Sequence, residues 1–265
     1  MQDLNVTIIQ SKTHWESVAA NLAMFEEKIW EIEGQSDIIV LPEMFSTGFS
    51  MSSRQLAEPM NFTAFKWMKQ MASQTGSALT GSIIIKENDA YYNRLIWMEP
   101  TGKFEYYDKR HLFRMADEHL HYSEGQRKLV INYKGWNICP LICYDLRFPV
   151  WSRNTKNKES NMLEYDLLLY VANWPAARVS AWDTLLRARA IENLCYTIGV
   201  NRIGNDGLEV AYNGHSAVID PKGNALFEAG EDEVIQTSTL TADDLISYRK
   251  KFPAHLDGDS FKINL

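Results

Sequence analysis

The chain has 265 residues, 45% hydrophobic and 23% charged, with 27 basic against 34 acidic side chains and a formal net charge of −7. This is the composition of a folded globular protein, and an acidic balance without a long basic run excludes nucleic acid as a main partner. No stretch reaches the ~18 apolar residues of a membrane span.

The opening Met1-Gln2-Asp3-Leu4 has neither the basic lead-in nor the apolar core of a secretory signal. Three cysteines, an odd number, do not make a disulfide framework. A reducing, cytoplasmic compartment is therefore the expectation. The locally basic run 153–158 reads as a solvated loop.

In chain order, Leu4 to Gln10 reads as a first strand. Thr13 and Glu16 have capping-box spacing, and Val18, Leu22, Phe25 and Ile29 follow as a helical apolar stripe. Ile38 to Leu41 is a continuous apolar run, typical of a strand covered on both faces. It ends in Pro42-Glu43. A second helix is expected after Asn61, with Phe62, Phe65, Met68 and Ala72 toward the core and a stop near Gly76. Ala78 to Ile85 and Tyr91 to Met98 read as strands joined by a polar turn, and Phe104 to Lys109 as another. The stretch 110–128 is irregular and carries Glu118, His111, His119 and His121. Val130-Ile131 and Ile138 to Ile142 lead into Cys143. After it, Pro149 opens a helix.

Leu167 to Ala172 is again solidly apolar and ends in Asn173-Trp174. Trp182 to Leu194 reads as a helix with Asp183 and Arg187 paired at i,i+4. Cys195 to Val200 is one more buried strand, ending in Asn201. Short strands fill His215 to Thr239. A last helix starts at Thr241, carries Arg249, Lys250 and Lys251 at its end, and stops before Pro253. No linker, low-complexity segment or fixed-period repeat interrupts this order, so residues 1–265 are expected to form one α/β domain.

Four dense apolar strands end in Glu43, Cys143, Asn173 and Asn201. Open α/β sheets bind ligands beyond the carboxyl ends of their strands, so one pocket is predicted to receive Glu43, Cys143 and Asn173. Taken alone, Cys143 is an ordinary small core residue, as most free cysteines are. A cysteine nucleophile needs a base or an electropositive setting, and none of the six histidines lies at the end of a buried strand. Glu43 does, and burial beside an apolar strand suits a carboxylate to shuttling protons. The His111, His119 and His121 cluster lacks the spacing of a metal motif. Neither a metal nor any other cofactor is expected. Cys139 stands roughly 13 Å from Cys143 along the strand at ~3.3 Å per residue, too far for a disulfide.

Three blocks then resemble the nitrilase superfamily of carbon–nitrogen hydrolases, nearly end to end. They are Leu41-Pro42-Glu43, the segment Tyr107-Asp108-Lys109-Arg110-His111-Leu112, and Cys143-Tyr144-Asp145-Leu146-Arg147-Phe148-Pro149. A second glutamate usually precedes the Ser-x-Gly ahead of the nucleophile strand, and Glu118 fits that place. The resemblance implies a four-layer α-β-β-α sandwich, dimerised through helices. The nucleophile helix and helix 182–194, with Arg187, Arg189 and Glu192, are the expected interface. It also implies that Glu43 takes the Cys143 proton, that the thiolate attacks an amide, and that Lys109 and the Tyr144 N–H hold the oxyanion. Glu118 assists water or orients Lys109.

Within the superfamily the likeness is strongest to bacterial ω-amidases, which cleave the terminal amide of α-keto acid amides such as 2-oxoglutaramate and 2-oxosuccinamate. Their substrate carboxylate needs a cation, and Arg147 and Arg178 are candidates. For Arg147 a structural pair with Asp145 or another buried acid is the preferred reading. Trp174 is either pocket wall or core, and Asn173 sits beside it. Phe113 and His119 are candidates for the entrance. Competing readings are a nitrilase or carbamoylase and, from another class, a thiol redox or binding protein.

Overall fold

The computed structural model describes residues 1–156 and 162–263. The basic stretch after Arg153 is described only through Lys156, and its remainder lies outside the described residues. The first half runs β1 (Leu4–Gln10), α1 (Val18–Trp30), β2 (Ile38–Val40), the one-turn α2 (Ser53–Leu56), α3 (Thr63–Thr75), β3 (Ala78–Glu87), β4 (Ala90–Met98), β5 (Phe104–Asp108) and the one-turn α4 (Glu118–His121). The second half runs β6 (Ile131–Tyr133), β7 (Trp136–Ile142), the one-turn α5 (Pro149–Ser152), β8 (Leu167–Val171), α6 (Val179–Asn193) and β9 (Tyr196–Val200). A small hairpin, β10 (Ile203–Asn205) with β11 (Ala211–Asn213), precedes β12 (Ala217–Ile219), β13 (Ala225–Glu228), β14 (Val234–Leu240) and α7 (Ala242–Lys251).

Two six-stranded sheets form, in the orders β14-β1-β2-β3-β4-β5 and β13-β12-β9-β8-β7-β6. Each has three parallel strands at its centre, β1-β2-β3 in one and β7-β8-β9 in the other, with antiparallel strands outside. The halves repeat one architecture that no sequence period betrays. The sheets face each other over a core of Leu4, Val6, Val40, Leu95 and Trp97 from the first sheet and Trp136, Ile138 and Leu169 from the second. On the outer face of the first sheet, α1 and α3 bury Leu22, Phe25, Phe65, Met68 and Ala72 against Ile39 and Ile96. On the outer face of the second, α6 and α7 contribute Trp182, Leu186 and Leu245. The result is the four-layer sandwich, and strand alternation explains it: Leu95 and Trp97 face the other sheet while Ile96 and Met98 face the helices.

Several local expectations differ. α1 begins only at Val18, and Glu16 instead accepts a 2.5 Å hydrogen bond from Ser50. α3 begins at Thr63, which leaves Phe62 as an exposed flanking residue and not a core one. α3 ends where expected, at Gly76 with φ +69°, a conformation that favours glycine. Asp183 and Arg187 do not pair with each other. Asp183 bonds His215, while Arg187 reaches Glu228 and the Gly223 carbonyl. Tertiary partners outcompete an exposed intrahelical pair, whose contribution is small. Arg189, expected on an outer interface, is buried and donates to the Leu146 carbonyl at 2.6 Å. Among the described residues, no helix is long and apolar enough to cross a membrane.

Candidate active site

Both parallel centres end at the same place. Past β2 the chain turns at Glu43 and Met44, and past β7 it turns at Cys143. Met44 and Cys143 have φ of +42° and +43°, a left-handed geometry that side chains other than glycine seldom adopt and that is retained where the surroundings fix it. The first turn is fixed by Ser82, whose Oγ accepts the Met44 N–H at 2.8 Å and whose carbonyl accepts the Phe45 N–H at 3.1 Å. The second is fixed by Asp145 and Arg189.

Asp145 is the hinge pin of the site. Its carboxylate accepts the Ile142 N–H at 3.1 Å, the Tyr107 hydroxyl at 2.8 Å and the His111 N–H at 3.0 Å, and it lies 2.7 Å from His111 Nδ1. Tyr107 and His111 flank Lys109, so one buried carboxylate ties the lysine segment to the cysteine segment. His111 also stacks on Phe148 at 3.7 Å, and Trp151 donates to the Tyr107 hydroxyl at 2.9 Å. These contacts give a physical reason for the motif residues around Lys109 and Cys143. They also remove the pairing preferred for Arg147: Asp145 has spent its lone pairs, and Arg147 lies over the Trp174 ring, 5.0 Å from its centroid.

Lys109 follows β5. Its N–H donates to the Asn93 carbonyl at 3.0 Å and its own carbonyl accepts the Gly125 N–H at 2.9 Å. A Cβ on Gly125 would stand 2.0 Å from the Asp108 carbonyl oxygen, so only glycine lets the chain pass here. The Lys109 ammonium then reaches Glu43 Oε1 at 2.8 Å and both Glu118 oxygens at 2.9 and 3.0 Å. Phe113 fixes Glu118 from the other side with an N–H bond of 2.6 Å. Glu43 Oε2 accepts the Asn173 N–H at 2.8 Å, and the Asn173 amide returns to the Glu43 carbonyl at 2.6 Å. The Cys143 thiol hydrogen-bonds in this group, 3.8 Å from the Asn173 carbonyl oxygen and in contact with the Glu43 carboxylate.

Burial and the Glu43 charge push the Cys143 thiol well above its ordinary range, against the pull of Lys109. The thiol is therefore neutral at rest. Burial disfavours the Lys109 charge, but Glu118 and Glu43 outweigh it and the net direction is upward. Burial raises the Glu118 carboxyl, with Lys109 opposing. The arrangement is a proton-bearing thiol beside a carboxylate and a fixed ammonium. It suits attack on a polarised carbonyl. Among the described residues no cluster of three or more metal-ligating side chains occurs.

Cys143 and Lys109 open onto a cavity of about 470 Å³, large enough for a small organic substrate. Tyr144, Arg147, Asn173, Trp174 and Arg178 line it, as does Phe113. His119, on α4, does not border it. Arg178 sits over the Phe113 ring at 5.3 Å. Among the described residues neither arginine meets a carboxylate. Asp206 borders the cavity but is occupied by the Leu208 and Val210 N–H groups and the Tyr212 hydroxyl. The far wall, with Leu208, Val210 and Tyr212, comes from the β10–β11 hairpin, which the sequence reading did not assign to the site.

Asn93 was also missed. It is fully buried on β4 and its amide donates to Glu43 Oε1 at 2.7 Å and to Glu118 Oε1 at 3.2 Å. The available signal was a polar amide amid the apolar residues of Tyr91 to Met98. Phe49 is another omission: its ring lies 5.1 Å from the Lys109 ammonium.

The carbon–nitrogen hydrolase family model matches residues 5–250. An ω-amidase named YafV from Escherichia coli K12 is 43% identical, over 99% of this chain and 100% of its own. A 2-oxoglutaramate amidase from Bacillus subtilis is 31% identical, over 95% and 96%. Among solved structures, XC1258 from Xanthomonas campestris, a CN-hydrolase superfamily protein with an arsenic adduct in its active site, is 46% identical. It superposes with a TM-score of 0.97 over the whole of both chains.

Proposed function

We propose that this chain, which belongs to the carbon–nitrogen hydrolase family, is an ω-amidase that hydrolyses the terminal amide of a small α-keto acid amide, 2-oxoglutaramate or 2-oxosuccinamate, to acid and ammonia. The observation that carries the reading is the buried Glu43–Lys109–Glu118 group, closed at 2.8 and 2.9 Å, beside a cysteine that faces a substrate-sized cavity holding two arginines with no acid partner among the described residues. The names of the full-length relatives supply the substrate class.

In this reading the amide carbonyl enters toward Lys109 and the Tyr144 N–H. Glu43 takes the Cys143 proton as the sulfur attacks carbon. The oxyanion gathers on the ammonium and the N–H, donors worth roughly 3–4 kcal/mol each when preorganised in a dry site. Lys109 supplies its share by letting go of one of the two Glu118 oxygens. The tetrahedral adduct collapses as Glu43 returns the proton to nitrogen, and ammonia leaves. Water then attacks the thioester, giving its proton to Glu43, and the acid departs with the thiol restored. Glu118 holds Lys109 and, through Phe113, the adjoining wall. Arg147 on Trp174, with Arg178 beyond it, receives the substrate carboxylate, which a guanidinium binds in bidentate fashion. Asn173 and Trp174 shape the floor. The protein works in the cytoplasm as a homodimer.

The test is ammonia release from 2-oxoglutaramate and 2-oxosuccinamate beside glutamine, asparagine, a nitrile and a carbamoyl compound. Preference for the two keto acid amides is expected, with Cys143→Ser losing at least ~1,000-fold, as the removal of a nucleophile does. Turnover of the nitrile alone, or full activity in Cys143→Ser, defeats the reading.

A further inference from the structure

We propose that Asn93 is a positioning residue that clamps the Glu43 and Glu118 carboxylates onto Lys109 and so holds Glu43 beside the Cys143 thiol; the inference rests on the amidase reading. Two carboxylates share one ammonium in a site with no exposure. Like charges at such a range repel, and in a dry site the repulsion is strong. A neutral donor between them is the remedy, and Asn93 occupies that place. Its Nδ2 carries two N–H bonds and spends them on Glu43 Oε1 at 2.7 Å and Glu118 Oε1 at 3.2 Å. Its backbone carbonyl takes the Lys109 N–H at 3.0 Å. One residue thus touches three of the four charged or nucleophilic groups without meeting the cavity.

The position is costly in any other role. β4 alternation turns Asn93 to the face of Leu95 and Trp97, between the two sheets, where an aliphatic side chain packs best. Among the described residues the amide oxygen Oδ1 is buried with no partner, a standing penalty for a core position. Turning the amide over does not help, because Oδ1 would then face two carboxylate oxygens. The donor side therefore accounts for the residue. Aspartate of the same shape would add a third negative charge, and leucine would leave both acids without their shared donor.

The groups facing this cluster are Lys109 after β5, Glu118 and Tyr122 at the two ends of the α4 turn, Cys143 after β7, and Tyr212 on β11. Removing the donor frees the base carboxylate to swing away from Lys109 and from the thiol it must serve. For Asn93→Ala, kcat on the keto acid amide is expected to fall on the order of 10–100-fold, part of the 10²–10⁴ that a positioned acid–base group provides. KM stays within about threefold, because the amide does not line the cavity. Asn93→Ser, which keeps a short donor, recovers part of the rate and serves as the second variant if the alanine protein does not fold. Unchanged kcat in both variants overturns the proposal. A crystal structure of either variant gives a readout independent of substrate. Glu43 or Glu118 should leave Lys109, and intact contacts at about 2.8–3.0 Å overturn the proposal even if the wild-type protein turns out to hydrolyse something else. Failure of the amidase reading itself shows separately, as absence of ammonia from the wild-type protein.

Discussion

Replacing Lys109 by methionine tests the charge balance of the site more sharply than any other single change. Methionine nearly matches the volume of lysine, so packing is largely kept while the ammonium goes. The wild-type ammonium makes three contacts, one of 2.8 Å to Glu43 and two of 2.9 and 3.0 Å to Glu118, all fully buried. Breaking a buried ion pair by removing one partner typically costs about 3–5 kcal/mol. At roughly 2–4 °C per kcal/mol for a chain of this size, Tm should drop by about 6–20 °C. The sign with pH is fixed. Burial already raises the Glu118 carboxyl, and without Lys109 it rises further. A carboxyl whose folded-state pKa lies above its unfolded one favours folding at low pH and loses that contribution as pH climbs through the folded value. The Tm gap between wild type and Lys109→Met should therefore narrow as pH falls from 8 toward 5. Activity should fall at least ~1,000-fold, beyond the loss of one neutral oxyanion donor. Thermal scans across pH and ammonia-release kinetics are the assays. A variant with kcat within tenfold of wild type, or a Tm gap that widens in acid, refutes the reasoning.

Two further outcomes are expected. Arg147→Met should raise KM for 2-oxoglutaramate about 10–100-fold, the worth of a charge-assisted hydrogen bond, while leaving kcat nearly unchanged; equal KM values would show that Arg178 or another group binds the carboxylate. Thiol labelling of the native protein should reach Cys143 alone, because only it borders the cavity. Burial pushes Cys139 and Cys195 up to about 12. The Cys143 rate should still be climbing above pH 9, since its thiol is neutral at rest. Fast labelling that is flat from pH 6 to 8 would mean a resting thiolate and contradict the electrostatics.

The corrections have a common cause. Thr13 with Glu16, and Asp183 with Arg187, satisfy local spacing rules whose energies are a few tenths of a kcal/mol to about one. Each was overruled by a partner far along the chain: Ser50 for Glu16, His215 for Asp183, Glu228 for Arg187. Arg147 failed as a structural ion pair for the same reason, since Asp145 serves Tyr107 and His111 instead. The β10–β11 hairpin was illegible because nothing within its own segment distinguishes it, and Asn93 offered only a polar amide in an apolar strand. Their meaning comes from what stands opposite.

The sequence by itself determined the alternation of buried strands and amphipathic helices, because burial periodicity is written residue by residue. It also determined that Glu43, Lys109, Cys143 and Asn173 stand at or beside strand ends, where an α/β sheet exposes its chemistry. Only the tertiary structure decided how these ends meet. Two halves of the same architecture pack face to face, so the turn after β2 comes beside the turn after β7. Asp145 binds one to the lysine segment, and Asn93 and Glu118 close on Lys109. A charge balance among buried groups depends on distances between residues 9 to 130 positions apart, and no local pattern encodes such distances.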